Sequence, residues 1–444
     1  MNQSALVTGL VLLSSLTAPC ADPTFHFTPV DEKIFDDANE LDQKLEKQGL
    51  VDHDPTAQAY VEYIGNRLIG DAPAPERVTF RFRIVRDPVE NAFALPNGSV
   101  YVNSGLVDGV RNEAQLAGVL SHEIIHVTKR HAYLQFHSVR KKMVAIDILG
   151  AASGAAPGIA GLASLAAGLT GQLLIVSSVF GYSRELEKEA DTGGYSLLIH
   201  AGYSGNAMAE ALETLDDKLE FERVEPFWKT HPKLQERIAL AKEMAKTENA
   251  PNQRNTPENS YFDQFSSVIR FDIQLDLDSR RARTAVDRAQ RLVARSPGDA
   301  TSLTLLADAY RGLGAKTARP EGDELESGGK KENRKRALKR TAEEEQKELD
   351  ASAKGQRALA ENRSKAESLY REAMQDAPQL GDPHRGIGML YEDESKKTEA
   401  EAEYRQYLNL AAPDANDRVR IDRRLERLSS SPISKTKPAN TENQ

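Results

Sequence analysis

Leu116, Leu120, Ile124 and Val127 recur at three- and four-residue spacing and predict a helix with one apolar stripe. Asn112 followed by Gln115 resembles a capping box and marks its start. Residues 91–102 carry a different period. Phe93 and Leu95 alternate, Asn97-Gly98 supplies a turn, and Val100 and Val102 resume the alternation, so strand, turn and strand are expected. Past residue 260 the pattern changes again: Ala366, Tyr370, Ala373 and Pro378 recur 34 or 35 residues later as Ala400, Tyr404, Tyr407 and Pro413. An earlier unit has Ala285, Ala289, Leu292 and Pro297, with Ala307 and Tyr310 in the following helix. Such spacing predicts antiparallel helix pairs in which small alanines let helices approach, aromatics fill the gaps and proline ends the pair.

Within the predicted helix stands His122-Glu123-Ile124-Ile125-His126. Positions i and i+4 share one helix face, so both imidazoles reach one ion while Glu123 sits beside it as a general base. A catalytic zinc needs a third protein ligand and an open fourth position. The HExxHxxGxxH solution is excluded, because Lys129 and Ala132 stand where its glycine and third histidine belong. His131, one residue out of register, and His137 read as surface polar residues. The gluzincin solution is an acidic ligand on a second helix, and residues 183–191 offer it. Glu187 and Asp191 are again i and i+4, so one carboxylate can bind the metal while the next turn offers an acceptor to a ligand histidine. Gly193 and Gly194, each costing about 1 kcal/mol in a helix interior, point to close helix packing beside them.

Four segments, residues 91–106, 121–131, 183–191 and 230–238, resemble the HtpX and CAAX-prenyl-protease type of zinc metallopeptidase, particularly its soluble periplasmic BepA-like branch. The resemblance implies one zinc ion per chain held by His122, His126 and Glu187, with Glu123 as base and Asp191 supporting a ligand histidine. It also implies that Asn91, Ala92, Phe93 and Ala94 belong to an edge strand that aligns an extended substrate by main-chain pairing. A hairpin without substrate contact fits the same residues. In that branch the histidine matching His231, in Thr230-His231-Pro232, approaches zinc as a fourth ligand and closes the site. Two other readings stay open: His231 donates to the tetrahedral intermediate, or Pro232 simply starts a helix. Arg237 completes the segment, and an ordinary surface salt bridge explains it equally well. The predicted reaction is peptide hydrolysis: water acidified to a pKa of about 7 by zinc gives its proton to Glu123 and attacks a polarised carbonyl.

The spacing beyond residue 260 resembles tetratricopeptide repeats, whose stacked pairs form a concave groove for a peptide or partner. A helical scaffold alone fits the pattern too. The expected fold is therefore mainly α (α+β): a gluzincin metallopeptidase domain with a small β-sheet over 30–246, a linker over 247–260, and helical repeats over 261–428. A Lys-, Arg- and Glu-rich insert at 315–355 reads as a solvated helix or disordered stretch, and 429–444 as a disordered tail.

Residues 5–18 form an apolar run too short to span a bilayer, suited to a secretory signal peptide over 1–21 with cleavage near Cys20 or Ala21. Pro19 and Thr17 fit a lipobox poorly, which disfavours lipidation at Cys20. Residues 148–182 lack charge but cannot be one crossing, which would put His122 and His126 on the opposite side from Glu187; two crossings need about 40 apolar residues. Short helices packed over the site or resting on a membrane surface suit this Gly- and Ala-rich stretch. With 67 acidic against 58 basic residues, a formal charge of -9 disfavours nucleic acid as a partner. The expected function is a periplasmic zinc endopeptidase acting on misfolded or unassembled envelope proteins, its repeats recruiting clients or outer-membrane assembly proteins. The alternative is a repeat-based assembly factor or chaperone with a latent zinc site.

Overall fold

The structure, a computed structural model, describes residues 26–70, 74–138, 182–218, 234–247, 258–314 and 342–430. The expected signal peptide, residues 148–181 of the uncharged stretch, His231, residues 315–341 of the charged insert and residues 431–444 lie outside them.

A three-stranded sheet sits near the start of the chain, with β1 (Arg81–Val85), β2 (Ala92–Ala94) and β3 (Ser99–Asn103) in the order β1-β3-β2. The expected hairpin is β2 and β3, paired antiparallel with Phe93 opposite Tyr101. Leu95 N donates to Ser99 O at 2.8 Å and Gly98 N to Leu95 O at 3.0 Å, so the turn centres on Pro96 and Asn97. Gly98 follows at φ +99°, and a Cβ there would lie 2.5 Å from Thr79 O, so only glycine fits. β1 pairs with β3 in parallel, Arg81 opposite Ser99, and is a strand beyond those expected from the sequence, although Phe80, Phe82 and Ile84 alternate with polar residues.

Being central, β3 is buried on both faces. Val100 and Val102 enter the main core with α2 (Pro55–Ile69) and α4 (Glu113–Thr128). Tyr101 instead meets α1 (Pro29–Lys47) among Ile34 and Ala38, and its hydroxyl donates to Asp42 at 2.8 Å. α1 thus covers the face that a half-exposed hairpin would have left to water.

The helix carrying the motif is α4. Asn112 caps it by accepting from Gln115 N at 2.9 Å, while Gln115 Oε1 accepts from Arg111 N, one residue before the position a capping box uses. Residues from Glu113 to Val127 are all buried, not only the apolar stripe. α2, β2, α5 (Arg184–His200) and α6 (Asn206–Lys218) surround it. α3 (Ser104–Gly109) leads into α4, a helical segment at 131–138 follows it, and α7 (Leu234–Thr247) packs on α5 and α6.

Beyond lie α8 (Glu258–Gln264), α9 (Ser266–Asp278), α10 (Ala282–Arg295), α11 (Ala300–Leu313), α12 (Ala342–Asp376), α13 (Asp382–Asp393), α14 (Lys397–Leu410) and α15 (Arg418–Ser430). From α9 onward each packs on the next in a stacked array, and Ala285, Ala289, Ala366, Tyr370, Ala373, Ala400, Tyr404 and Tyr407 are buried between them. Residues 342–355 are the first turns of α12. Tyr261, Phe262 and Phe265 of α8 and its end insert into the same core as α2 and α4, and Tyr261 Oη donates to Val107 O at 3.0 Å. One apolar core therefore runs from the sheet into the first helices of the array. Among the described residues, no helix is long and apolar enough to cross a membrane.

Candidate metal centre

The site forms where α4 and α5 touch. A Cβ on Gly194 would lie 3.0 Å from His122 N and 3.1 Å from its Cα, and one on Gly193 would lie 2.9 Å from Ile125 Cδ1. Glycine at both positions lets the helix axes approach, as the sequence predicts, and turns the Glu187 and Asp191 face of α5 onto the histidine face of α4.

His122, His126 and Glu187 converge there, all buried. The two Nε2 atoms are 2.9 Å apart, and the Glu187 carboxylate oxygens lie 3.6 Å from His122 Nε2 and 3.7 Å from His126 Nε2. Donors bound at about 2.0–2.1 Å in a tetrahedron stand about 3.3 Å apart, so these three fit one zinc-sized ion. Glu123 is buried beside them, and its charge reaches both Tyr182 and Arg237.

Each ligand histidine is held by its other nitrogen. His122 Nδ1 meets Asp191 Oδ1 at 2.9 Å, so with Nε2 turned to the metal position the Nδ1 proton is donated to the carboxylate. Arg237 grips the same carboxylate with Nε at 2.9 Å from Oδ2 and Nη2 at 2.7 Å from Oδ1, and its Nη1 lies 3.2 Å from Glu187 Oε2. Burial opposes ionisation of Asp191, but the charge of Arg237 and the hydrogen bond from His122 outweigh it and hold the carboxyl well below its usual range. Burial, then Arg237, hold His122 down at about 4, so its imidazole is neutral and able to ligate near neutral pH.

His131 departs from its expected surface position, and of the two readings open for Arg237 the surface one fails. Arg237 is a buried member of this cluster rather than a surface ion pair, because Asp191 and Glu187 both need its charge. His131 is fully buried rather than at the surface, with Nδ1 3.0 Å from His126 Nδ1. His137 is half-buried, with Nε2 2.8 Å from Asp31 Oδ1. Tyr182 had not been singled out; it stacks on the His126 ring, centroids 3.9 Å apart.

Charge makes the same point as geometry. Among the described residues, Glu123, Glu187 and Asp191, all buried, face the buried guanidinium of Arg237, so these described groups together carry more negative than positive charge. A divalent cation offsets the difference.

β2 borders the site: Ala94, Leu95, Pro96, His126 and Tyr182 line one small cavity. Asn91 O accepts from Asn103 N and Leu95 N donates to Ser99 O, so alternate residues bond inward and the main-chain groups of Ala92 and Ala94 face away from β3. Among the described residues no strand pairs with that edge.

Residues 55–245 match peptidase family M48. This stretch is an M48 peptidase domain. Similarity to curated proteins covers much the same part of the chain. It is 34% identical over 220 residues to a relative in Vibrio cholerae, 48% of this chain and 44% of that protein. It is 31% identical over 195 residues to the beta-barrel assembly-enhancing protease of Escherichia coli strain K12, 44% of this chain and 40% of that protein. Against the mitochondrial metalloendopeptidase OMA1 of Schizosaccharomyces pombe it is 30% identical over 195 residues, 44% of this chain and 54% of that protein. The chain thus spans less than half the length of these two bacterial relatives. The matched stretch contains α4, α5 and nearly all of α7, the helices that supply His122, Glu123, His126, Glu187, Asp191 and Arg237.

Proposed function

We propose that the M48 domain is a zinc-dependent endopeptidase. The observation that carries this reading is the convergence of His122, His126 and Glu187 with Glu123 beside them, at separations suited to one zinc-sized ion. When bound, zinc supplies a Lewis acid that polarises a carbonyl and brings the pKa of water to about 7. Glu123 takes the proton of the attacking water and returns it to the leaving amine. Asp191, charged through Arg237, keeps the His122 proton on Nδ1 and so keeps Nε2 free to ligate. An extended polypeptide adds to the outer edge of β2, pairing with the main chain of Ala92 and Ala94 while Asn91 and Phe93 hold the strand to β3, and this presents a bond to the site by shape rather than sequence.

His231 follows as either a closing ligand or a donor to the developing oxyanion. The substrates proposed are misfolded or unassembled envelope proteins, a reading supported by the assembly-enhancing name of the Escherichia coli relative and by the export-type run at 5–18. The stacked helices, read as tetratricopeptide-like, recruit these clients or an assembly partner, and the protein works in the periplasm.

The test compares the zinc-loaded protein with Glu123→Gln on an unfolded polypeptide. A fall in kcat of about 10²- to 10⁴-fold is expected, as for loss of a general base. Equal rates sink the endopeptidase reading.

A further inference from the structure

Arg130, just after α4, has φ +57°, a left-handed conformation that residues other than glycine rarely adopt. Strain of this kind persists where the surroundings enforce it. Arg130 lies in the break between two helical segments: α4 ends at Thr128, and helix resumes at His131. That turn sets His131 in the interior, edge-to-face against His126 at 4.9 Å between ring centroids, with the two Nδ1 atoms 3.0 Å apart. A histidine kept from water next to a candidate ligand, at the expense of backbone strain, calls for a reason.

We propose that His131 is a positioning residue that sets the tautomer and ring orientation of His126 for metal binding. This rests on the metal-site reading above. With two imidazoles meeting Nδ1 to Nδ1, one must donate and the other accept. His126 Nε2 faces His122 Nε2 and Glu187, so it must carry the free lone pair and the His126 proton sits on Nδ1. His131 Nδ1 is then the acceptor, and its own proton sits on Nε2, which lies 3.5 Å from the Glu189 carboxylate without a hydrogen bond to it. The order of protons thus runs inward from His131 to His126 to the metal position. His126 receives from a neutral imidazole the support that His122 receives from Asp191. The division adds no further negative charge beside Glu123, Glu187 and Asp191.

The experiment uses the full chain with Zn²⁺ and a competing chelator. Asparagine places its side-chain oxygen where His131 Nδ1 lies, so His131→Asn keeps the acceptor, whereas His131→Leu fills space without one. Zinc affinity is expected to fall 10- to 100-fold in His131→Leu, the usual effect of losing the partner of a ligand histidine, and to stay within about threefold of the parent in His131→Asn. A His131→Leu protein that binds zinc as tightly as the parent overturns the proposal, as does a His131→Asn protein as weak as His131→Leu. Nitrogen-15 spectra of the zinc-loaded parent test it without any variant: His126 protonated and His131 unprotonated at Nδ1 supports it, and the reverse arrangement overturns it. A parent that binds no zinc refutes the metal site itself, a result separate from these.

Discussion

Asp272 in α9 is fully buried at the junction between the M48 domain and the helical array, and replacing it with asparagine is expected to stabilise the protein at alkaline pH. Its Oδ2 accepts from Arg288 Nη1 at 2.9 Å, and Oδ1 lies 2.6 Å from Ser104 Oγ. Asp108 and Asp276 also face Arg288, at 3.8 and 3.3 Å, with Arg291 on Asp108 and Arg281 on Asp276. Ser104 has one proton and two neighbouring acceptors, Asp272 and Asp87 O at 2.9 Å. A protonated Asp272 satisfies the set, since it donates to Ser104 while Ser104 donates to Asp87. Burial pushes the Asp272 carboxyl up to about 7, against the opposing pull of Arg288. Because this value is raised above the ordinary 3.8, the folded state holds the extra proton, and stability is full below about pH 4 and lost as pH rises through 7. At about 1.4 kcal/mol per pH unit, the ionised carboxyl costs the folded state about 4 kcal/mol at pH 8. Asparagine mimics the protonated form. Urea unfolding at pH 5 and pH 8 should therefore show Asp272→Asn more stable than the parent by about 2 kcal/mol at pH 5, where part of the loss has already occurred, and by about 4 kcal/mol at pH 8. A variant less stable than the parent at both pH values, or the same difference at both, refutes the reasoning.

Arg237→Met leaves Asp191 and Glu187 buried without their shared cation, so metal-free protein should lose about 3–5 kcal/mol of stability, with part regained on adding zinc. Urea midpoints with and without zinc measure this, and an unchanged metal-free midpoint contradicts the central place given to Arg237. Ala94→Pro removes an outward-facing N–H from an edge strand, where proline is tolerated, and Phe93 before it is already extended. It should raise KM for an unfolded polypeptide about tenfold while zinc affinity holds, the cost of about one hydrogen bond. An unchanged KM argues that substrate does not pair with β2.

The motif residues were legible because their relation is local. His122 with His126 and Glu187 with Asp191 are each one helical turn apart, and Gly193 and Gly194 announced that the two turns meet. The hairpin was legible for the same reason, through alternation and Asn97-Gly98. What escaped depends on pairing across the fold. β1 is an exception, since Phe80, Phe82 and Ile84 alternate with Thr79, Arg81 and Arg83 and the period was there to read, whereas α1 covers a face of the sheet through Asp42, a residue with no signal of its own. His131 reads as a surface residue, and for Arg237 a surface salt bridge fits as well as a place in the fourth segment, because such residues are seldom fully buried unless paired. Their partners lie elsewhere: Asp191 is 46 residues from Arg237, and His131 meets His126 only because Arg130 takes a left-handed turn that no residue type there announces. For Arg237, however, a signal existed in charge rather than periodicity. A base and two further carboxylates gathered around neutral histidines exceed the charge of one dication. The same motif that predicts the metal therefore also requires a buried cation, and Arg237 in the fourth segment is the arginine placed to supply it.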